Sequence, residues 1–162
     1  MSHAIVPGSF DPMTLGHLSL IEAVAARYDR VTVAVMINPA KEYLFSKEMR
    51  VAIARATVGA LSNVEVLADD GMLIDLYDRL GADAVCKGYR NEKDLAYEQE
   101  MADWNRAHNP RFETVLIPSY GEHHALSSTE VRERIARGET LADTVHRDAL
   151  PLIDAALALG GA

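Results

Sequence analysis

Short apolar runs rich in β-branched residues alternate with longer segments of helical period, and this alternation constrains the fold most strongly. Five runs predict strands at Ala4–Val6, Val31–Ile37, Val64–Leu67, Ala82–Cys86 and Thr114–Pro118. Helical patterns follow near residues 17–28, 46–60, 71–80, 91–107, 128–137 and 145–159. Such alternation implies right-handed crossovers and a mainly parallel sheet. We therefore predict an α/β fold, a doubly wound sheet of about five parallel strands with helices on both faces.

The loops that follow the strands are where a ligand is expected, because open parallel sheets bind ligands at the carboxyl ends of their strands. No internal repeat, low-complexity tract or linker interrupts the pattern, so we expect one domain over residues 1–162. The loops span residues 7–17, 38–45, 69–73, 87–91 and 119–129.

The charge and cysteine content narrow the possible partners and location. A formal net charge of −8 disfavours nucleic acid as a partner, since binding to a phosphate backbone needs a basic face. Small phosphates need only a local cluster of donors. One cysteine, Cys86, excludes a disulfide within the chain, and neither a signal peptide nor an apolar run of about 20 residues is visible. We expect a cytoplasmic protein that binds neither membrane nor nucleic acid.

The first loop has the composition of a phosphate site. Gly8 and Pro12 mark a turn, and a helix begins near Gly16. A helix N-terminus offers unpaired N–H groups and positive partial charge, and Gly16 would let a ligand approach the backbone. Hydroxyls at Ser9 and Thr14 and the imidazole of His17 add donors. The alternative is that Thr14 merely caps the helix and His17 is a surface histidine.

Three stretches carry a resemblance to a known family. Residues 7–17 resemble the T-x-G-H form of the H-x-G-H signature of the nucleotidylyltransferase superfamily. Residues 126–132 (LSSTEVR) are similar to the superfamily's I-S-S-T-x-I/V-R segment. Residues 87–98 (KGYRNEKDLAYE) resemble the R-G-x-R-x-x-x-D-x-x-Y-E block, which is specific to one family. Together these stretches resemble the bacterial phosphopantetheine adenylyltransferases over nearly the whole chain.

The resemblance implies transfer of AMP from ATP to 4′-phosphopantetheine, giving dephospho-coenzyme A and pyrophosphate, with Mg²⁺. It also implies a Rossmann-like fold, a homohexamer, and coenzyme A as a feedback inhibitor. The acceptor phosphate is mostly dianionic at neutral pH, because its second pKa is about 6. Catalysis then depends on positioning and charge stabilisation more than on a general base.

The resemblance also assigns roles to residues. His17 would stabilise the transition state at the α-phosphate, and Lys41 would be the second catalytic residue. The acceptor would contact Ser9, Lys41, Leu73 and Lys87. ATP would contact Ser9, Phe10, His17, Gly88, Tyr89, Arg90, Glu98, His123, His124, Ala125, Leu126, Ser127, Ser128 and Thr129. No residue is predicted to bind a metal.

Two features depart from a plain family pattern. Lys87 stands where the family usually has arginine, so a point charge replaces a bidentate donor, and acceptor affinity or orientation should change. The loop from Ser119 is about one residue longer than expected.

Ser127 and Glu130 have capping-box spacing, so we expect Ser127 to cap a helix in addition to contacting ATP.

Other unusual residues receive structural interpretations. We expect Cys86 to be a buried hydrophobe, and His3, His108 and His146 to lie at the surface. Met72, Met101 and Trp104 are interpreted as helix packing, with a place facing the pocket as the alternative for Met101.

Two alternative functions remain open. One is an enzyme of the same superfamily with another acceptor, such as nicotinamide mononucleotide or glycerol phosphate. The other is a nucleotide-sensing or assembly module that kept the fold but has lost turnover. The block at residues 87–98 favours phosphopantetheine, and the presence of His17, Lys41 and Arg90 favours an enzyme.

Overall fold

The computed structural model describes residues 1–119, 123 and 126–160. Its strands are β1 His3–Gly8, β2 Arg30–Met36, β3 Val64–Asp69, β4 Ala84–Tyr89 and β5 Thr114–Pro118. Its helices are α1 Leu15–Ala25, α2 Lys47–Val58, α3 Leu73–Leu80, α4 Glu92–His108, α5 Ser128–Ala136 and α6 Leu150–Ala158. In the part of the chain so described, no helix is both long and apolar enough to cross a bilayer.

The five strands form one parallel sheet in the order β3-β2-β1-β4-β5. From β1 the chain winds outward through β2 and β3, then crosses back to place β4 on the other side of β1. The strand order therefore reverses between β1 and β4, and such a switch point opens a crevice at the carboxyl ends of the two strands. The predicted fold class is confirmed.

Each face of the sheet is covered by helices. Alternate side chains of a strand point to opposite faces, so Ala4 and Val6 join one core cluster while Ile5 joins the other. The larger cluster takes buried residues from α1, α2, α5 and α6, whereas α3 supplies Leu76 and Tyr77 to the smaller one. This two-sided burial is why the strands contain few polar residues.

The fourth strand was predicted too early in the chain. It runs over Ala84–Tyr89, so Lys87, Gly88 and Tyr89 lie within β4 and do not follow it. Gly88 pairs with Ile117 and Tyr89 with Pro118 in the ladder to β5. The end of the strand was missed because Lys87 and Gly88 interrupt the apolar run by which the strand was recognised.

Several surface and core assignments also differ from expectation. His3 is buried, 6 % exposed, and its Nε2 lies 2.7 Å from Thr32 Oγ1. Trp104, Met101 and Met72, which were expected to pack between helices, are 43 %, 36 % and 55 % exposed, and Met101 lines a cavity. None of the described residues of α4 is buried. Cys86 is buried, as expected.

Candidate active site

The crevice at the switch point contains a cavity of about 470 Å³. The loop after β1, the ends of α1, α4 and α5, and the last residues of β4 line it. Of the predicted site residues, the cavity brings together Ser9, Phe10, His17, Lys41, Lys87, Gly88, Arg90, Glu98, His123, Leu126, Ser127, Ser128 and Thr129. Tyr89 does not line it, and Leu73 lines a neighbouring cavity. His124 and Ala125 lie outside the described residues.

His17 is oriented by the cap of its own helix. Thr14 is the N-cap of α1, and its backbone N–H donates to His17 Nδ1 at 3.0 Å. In return, the backbone N–H of His17 donates to Thr14 Oγ1 at 3.3 Å. Since Nδ1 accepts a hydrogen bond, the proton of the neutral ring must be on Nε2. His17 is therefore a donor at Nε2, in a cavity that also contains cations.

The imidazole of His17 is kept neutral by its surroundings. Burial of the ring lowers the pKa of His17 to about 4, and the positive charge of Arg90 acts in the same direction. Protonation would also place a second N–H at Nδ1, facing the Thr14 N–H that now donates to it. The ring therefore supplies a hydrogen-bond donor without a full charge over the physiological pH range.

The N-terminus of α1 is less open than the sequence suggested. The Leu15 N–H donates to the Thr144 carbonyl at 2.9 Å, and the His17 N–H is used by Thr14. A Cβ on Gly16 would lie 3.0 Å from the carbonyl oxygens of both His123 and Leu126. A glycine at position 16 is thus required for the close approach of His123 and Leu126. Because two N–H groups of this helix terminus are already used, side chains supply most of the hydrogen-bond donors that face the cavity.

Lys41 reaches the cavity from the loop after β2. Its Nζ donates to Ser9 Oγ at 3.3 Å and lies 5.5 Å from the centre of the Tyr43 ring. This contact joins two of the four residues that the family resemblance assigned to the acceptor. An exposed lysine with so few contacts can move onto an arriving phosphate.

Two cations from the fourth strand and its loop are already paired with acids. Lys87 Nζ lies 2.7 Å from Glu98 Oε2, and Arg90 Nε lies 3.2 Å from Asp94 Oδ2. The Lys87–Glu98 contact satisfies the distance of an ion pair, but Glu98 Oε2 is buried and accepts no hydrogen bond of good geometry. A phosphate entering the cavity would compete with these carboxylates for the cations.

The hydroxyls before and within α5 connect that helix to the first loop. The Glu130 N–H donates to Ser127 Oγ at 3.1 Å, which confirms the predicted cap. Ser128 Oγ donates to the Pro12 carbonyl at 2.7 Å, and Thr129 Oγ1 accepts from Arg132. These hydroxyls therefore fix the cavity wall in addition to facing its interior.

The sequence interpretation missed three residues that shape the site. Arg50 of α2 is 1 % exposed, and its NH1 donates to the Ser9 carbonyl at 2.9 Å and the Met36 carbonyl at 3.3 Å. The buried Asp11 carboxylate accepts the N–H groups of Leu44 and Phe45. Arg132 NH1 donates to the Asp11 carbonyl at 2.7 Å. A charged residue amid the apolar positions of α2 was the available signal for Arg50.

Fold and site together define a class of protein. A parallel α/β sheet whose switch-point cavity is lined by a neutral histidine donor, by hydroxyls and by the cations Lys41, Lys87, Arg90 and Arg132 is suited to binding a nucleotide polyphosphate. A profile of the cytidylyltransferase-like family matches residues 5–134. The chain is therefore a member of the cytidylyltransferase-like family.

Relatives narrow the membership further. The chain is 42 % identical to a phosphopantetheine adenylyltransferase of Limosilactobacillus reuteri, over 85 % of this chain and 80 % of the relative. It is 44 % identical to that of Symbiobacterium thermophilum, over 82 % of each. The chain belongs to the phosphopantetheine adenylyltransferase family.

A solved structure agrees on the fold alone. A crystal structure described as a candidate nicotinate-nucleotide adenylyltransferase of Vibrio parahaemolyticus superposes with a TM-score of 0.69 at 18 % identity, covering 96 % of this chain and 93 % of that one.

Proposed function

We propose that the chain transfers the adenylyl group of ATP to 4′-phosphopantetheine, giving dephospho-coenzyme A and pyrophosphate. Curated relatives at 39 to 44 % identity bear the name of this activity. The observation that carries the proposal is the neutral His17 ring, with its Nε2 proton available in a cavity that also contains Lys41 and Arg90.

The chemistry is an in-line displacement at the α-phosphorus. An oxygen of the acceptor phosphate forms a bond to that phosphorus, and the bond to the pyrophosphate oxygen breaks, so the leaving group departs as an anion. Negative charge on the α-phosphate oxygens would be stabilised by the His17 Nε2–H, while Lys41 and Arg90 offset the charge of the two phosphates. No proton transfer is required, because the acceptor is already a dianion.

A second cavity, of about 390 Å³, fits the rest of the acceptor. Its lining is largely apolar and includes Leu73, Met101 and Trp104. Lys87 and Glu98 line both cavities, so the two are contiguous at this pair. A ligand with a phosphate at one end and a long, uncharged arm at the other could place its phosphate near Lys87 and its arm over Leu73.

Mg²⁺ is proposed to arrive with ATP. Among the residues that the structure describes, no group of three or more His, Cys, Asp or Glu side chains is arranged to hold a metal. Asp11 accepts two backbone N–H groups, and Asp94 and Glu98 lie against Arg90 and Lys87. Phosphate oxygens and water would then be the ligands, which Mg²⁺ favours. The ion would neutralise charge on the departing pyrophosphate.

The remaining parts of the proposal concern assembly, regulation and location. A homohexamer agrees with the exposure of Met101 and Trp104 on α4, whose apolar surface a second copy could cover. Coenzyme A, which contains the same arm, would inhibit by occupying both cavities. A cytoplasmic location is proposed from the single buried thiol.

Pyrophosphate release in the presence of ATP and Mg²⁺ tests the proposal against its alternatives. We expect turnover with 4′-phosphopantetheine and none with nicotinamide mononucleotide or glycerol phosphate. Turnover only with another acceptor would replace the substrate, and ATP binding without turnover on any acceptor would favour a nucleotide sensor.

The substitution His17→Ala tests the role of the histidine. We expect a loss of at least about 10²-fold in kcat with little change in ATP affinity, the usual size of an oxyanion-type loss. Turnover within about twofold of the parent would contradict this role.

A further inference from the structure

Phe10 has an unusual backbone for a bulky residue. Its φ is 48°, and it is the only non-glycine residue with positive φ among the residues that the structure describes. Side chains other than glycine, asparagine and aspartate rarely adopt this left-handed region, and such strain is found mostly at functional sites. Phe10 is also only 4 % exposed, so its ring is packed inside the protein.

The ring of Phe10 lies between Gly8 and His17. Its centroid is 5.0 Å from that of the His17 imidazole, and the two planes meet at 88°, an edge-to-face contact. On the other side, a Cβ built on Gly8 would lie 2.8 Å from Phe10 Cζ. Only glycine at position 8 leaves room for the ring.

The residues on either side of Phe10 are held by buried groups. The Ser9 carbonyl accepts from Arg50, and the Asp11 carbonyl accepts from Arg132. The Asp11 carboxylate is fixed by two backbone N–H groups, those of Leu44 and Phe45. The chain is thus held in place before and after Phe10, which explains how the left-handed conformation persists.

We propose that Phe10 is a positioning residue whose ring, backed by Gly8, holds the His17 imidazole in place and shields it from water. The consequence for the reaction rests on the proposed function, since it assumes that His17 acts on the α-phosphate. The positioning itself is a property of the free chain and can be measured without substrate.

Three observations support this role. Thr14 fixes only Nδ1 of the imidazole, so a hydrogen bond alone leaves rotation about that axis open. The Phe10 ring supplies the second contact that defines the plane. Burial is also the main cause that lowers the pKa of His17 to about 4, and the adjacent Phe10 ring contributes part of that burial.

NMR titration of histidine-labelled protein tests the positioning directly. In the parent we expect His17 to remain the Nε2–H tautomer down to pH 5. In Phe10→Leu and Phe10→Ala the His17 titration should move toward its ordinary midpoint near pH 6.5, more in the alanine variant. Gly8→Ala should do the same by displacing the ring while leaving Phe10 present. Leu76→Ala, which opens the core on the other side of the sheet, is the matched control and should leave the His17 titration unchanged.

Steady-state kinetics supply the second readout. Phe10→Leu should lower kcat at least fivefold, a larger factor than that by which it raises the KM for ATP. The ratio of variant to parent kcat should fall further as pH drops from 7.5 to 5.5, because protonation of His17 breaks its bond from Thr14. Leu76→Ala should lower stability without this pH-dependent loss.

The outcomes separate the two proposals. Folded Phe10 variants whose His17 tautomer and titration match the parent would overturn the positioning role. A shifted titration without turnover on any acceptor would leave the positioning role intact and defeat the proposed function.

Discussion

Lys87 and Glu98 stand between the two cavities, and their 2.7 Å separation determines what an arriving phosphate encounters. Lys87 is a single point charge that is already neutralised, and Glu98 is mostly buried. An arginine could have contacted the carboxylate and a phosphate at once, since its planar fork presents five donors. The Lys87 ammonium group must instead leave the Glu98 carboxylate in order to bind the phosphate.

Substitution Lys87→Arg should therefore strengthen acceptor binding. We expect the acceptor KM to fall about fivefold, roughly 1 kcal/mol, with kcat within about twofold, because a bidentate donor replaces a monodentate one. Lys47→Arg, at an exposed pair with Glu48, is the matched control for a change of cation. An acceptor KM that is unchanged or higher in Lys87→Arg would show that the phosphate does not use this position.

At the level of elements, α2 is joined to the site by Arg50. Its guanidinium lies 3.8 Å from the centre of the Tyr43 ring and donates to the carbonyls of Ser9, Met36 and Phe45. Tyr43 in turn lies beneath Lys41. One side chain thus links the loop after β1, the end of β2 and the loop that carries Lys41.

Arg50→Met should lower the free energy of unfolding by about 3 kcal/mol, because buried carbonyls lose their donors. Activity should fall as well, since Ser9 and Lys41 lose their support. Arg55→Met on the same helix is the matched control, because Arg55 is exposed and donates to one carbonyl, that of Val66. Urea denaturation and kcat/KM measure the two effects, and equal loss in both variants would refute a special role for Arg50.

How well each element could be predicted depends on how clearly its apolar pattern appears in the sequence. The ends of β2 were predicted within one residue, because five of its seven residues are apolar and four are β-branched. The end of β4 was missed because Lys87 and Gly88 belong to the site and interrupt the apolar pattern. The extent of α4 was close to prediction, but its exposure was not, because periodicity cannot tell a core from a surface that another chain could cover.

The candidate site was predictable in membership but less so in geometry. The family resemblance assigned His17, Lys41, Arg90 and Ser127 to one site, and all four line one cavity. The sequence could not show that the Leu15 N–H donates to the Thr144 carbonyl. Nor could it show that the carbonyls of His123 and Leu126 pass close to Gly16, because these contacts join positions far apart in the chain. The left-handed backbone of Phe10 could not be predicted either, because phenylalanine rarely adopts a positive φ and its presence in a sequence does not indicate one.

For the whole molecule, two histidines tie stability to pH. His3, at the amino end of β1, has its pKa lowered by burial and then by Arg30, although Glu65 and Asp83 oppose the shift. Burial lowers the pKa of His17 as well. Between pH 6.5 and about 4 the unfolded chain binds protons at these positions that the folded chain binds less readily, so acid favours unfolding.

The free energy of unfolding should therefore fall as pH drops from 7 to 5. The slope attributable to His17 is at most about 1.4 kcal/mol per pH unit. His17→Asn should flatten the curve in this window, which lies above the ordinary range of the carboxylates. Urea denaturation at half-unit pH intervals measures it, and identical slopes in parent and variant would contradict the assignment.

The order β3-β2-β1-β4-β5 has a consequence for the chain as it leaves the ribosome. The strand made first becomes the central one, and its second neighbour, β4, begins at Ala84. A nascent chain can pair β1 with β2 and β3 early, yet one flank of β1 stays unpaired until some 80 more residues have been added, about 4 to 16 s at typical translation rates. Until that flank closes, the growing chain presents a bare backbone edge to its neighbours. Pairing of β4 also brings Lys87 and Gly88 to the cavity, so the step that covers this edge begins the assembly of the cavity, which α4 and α5 complete later.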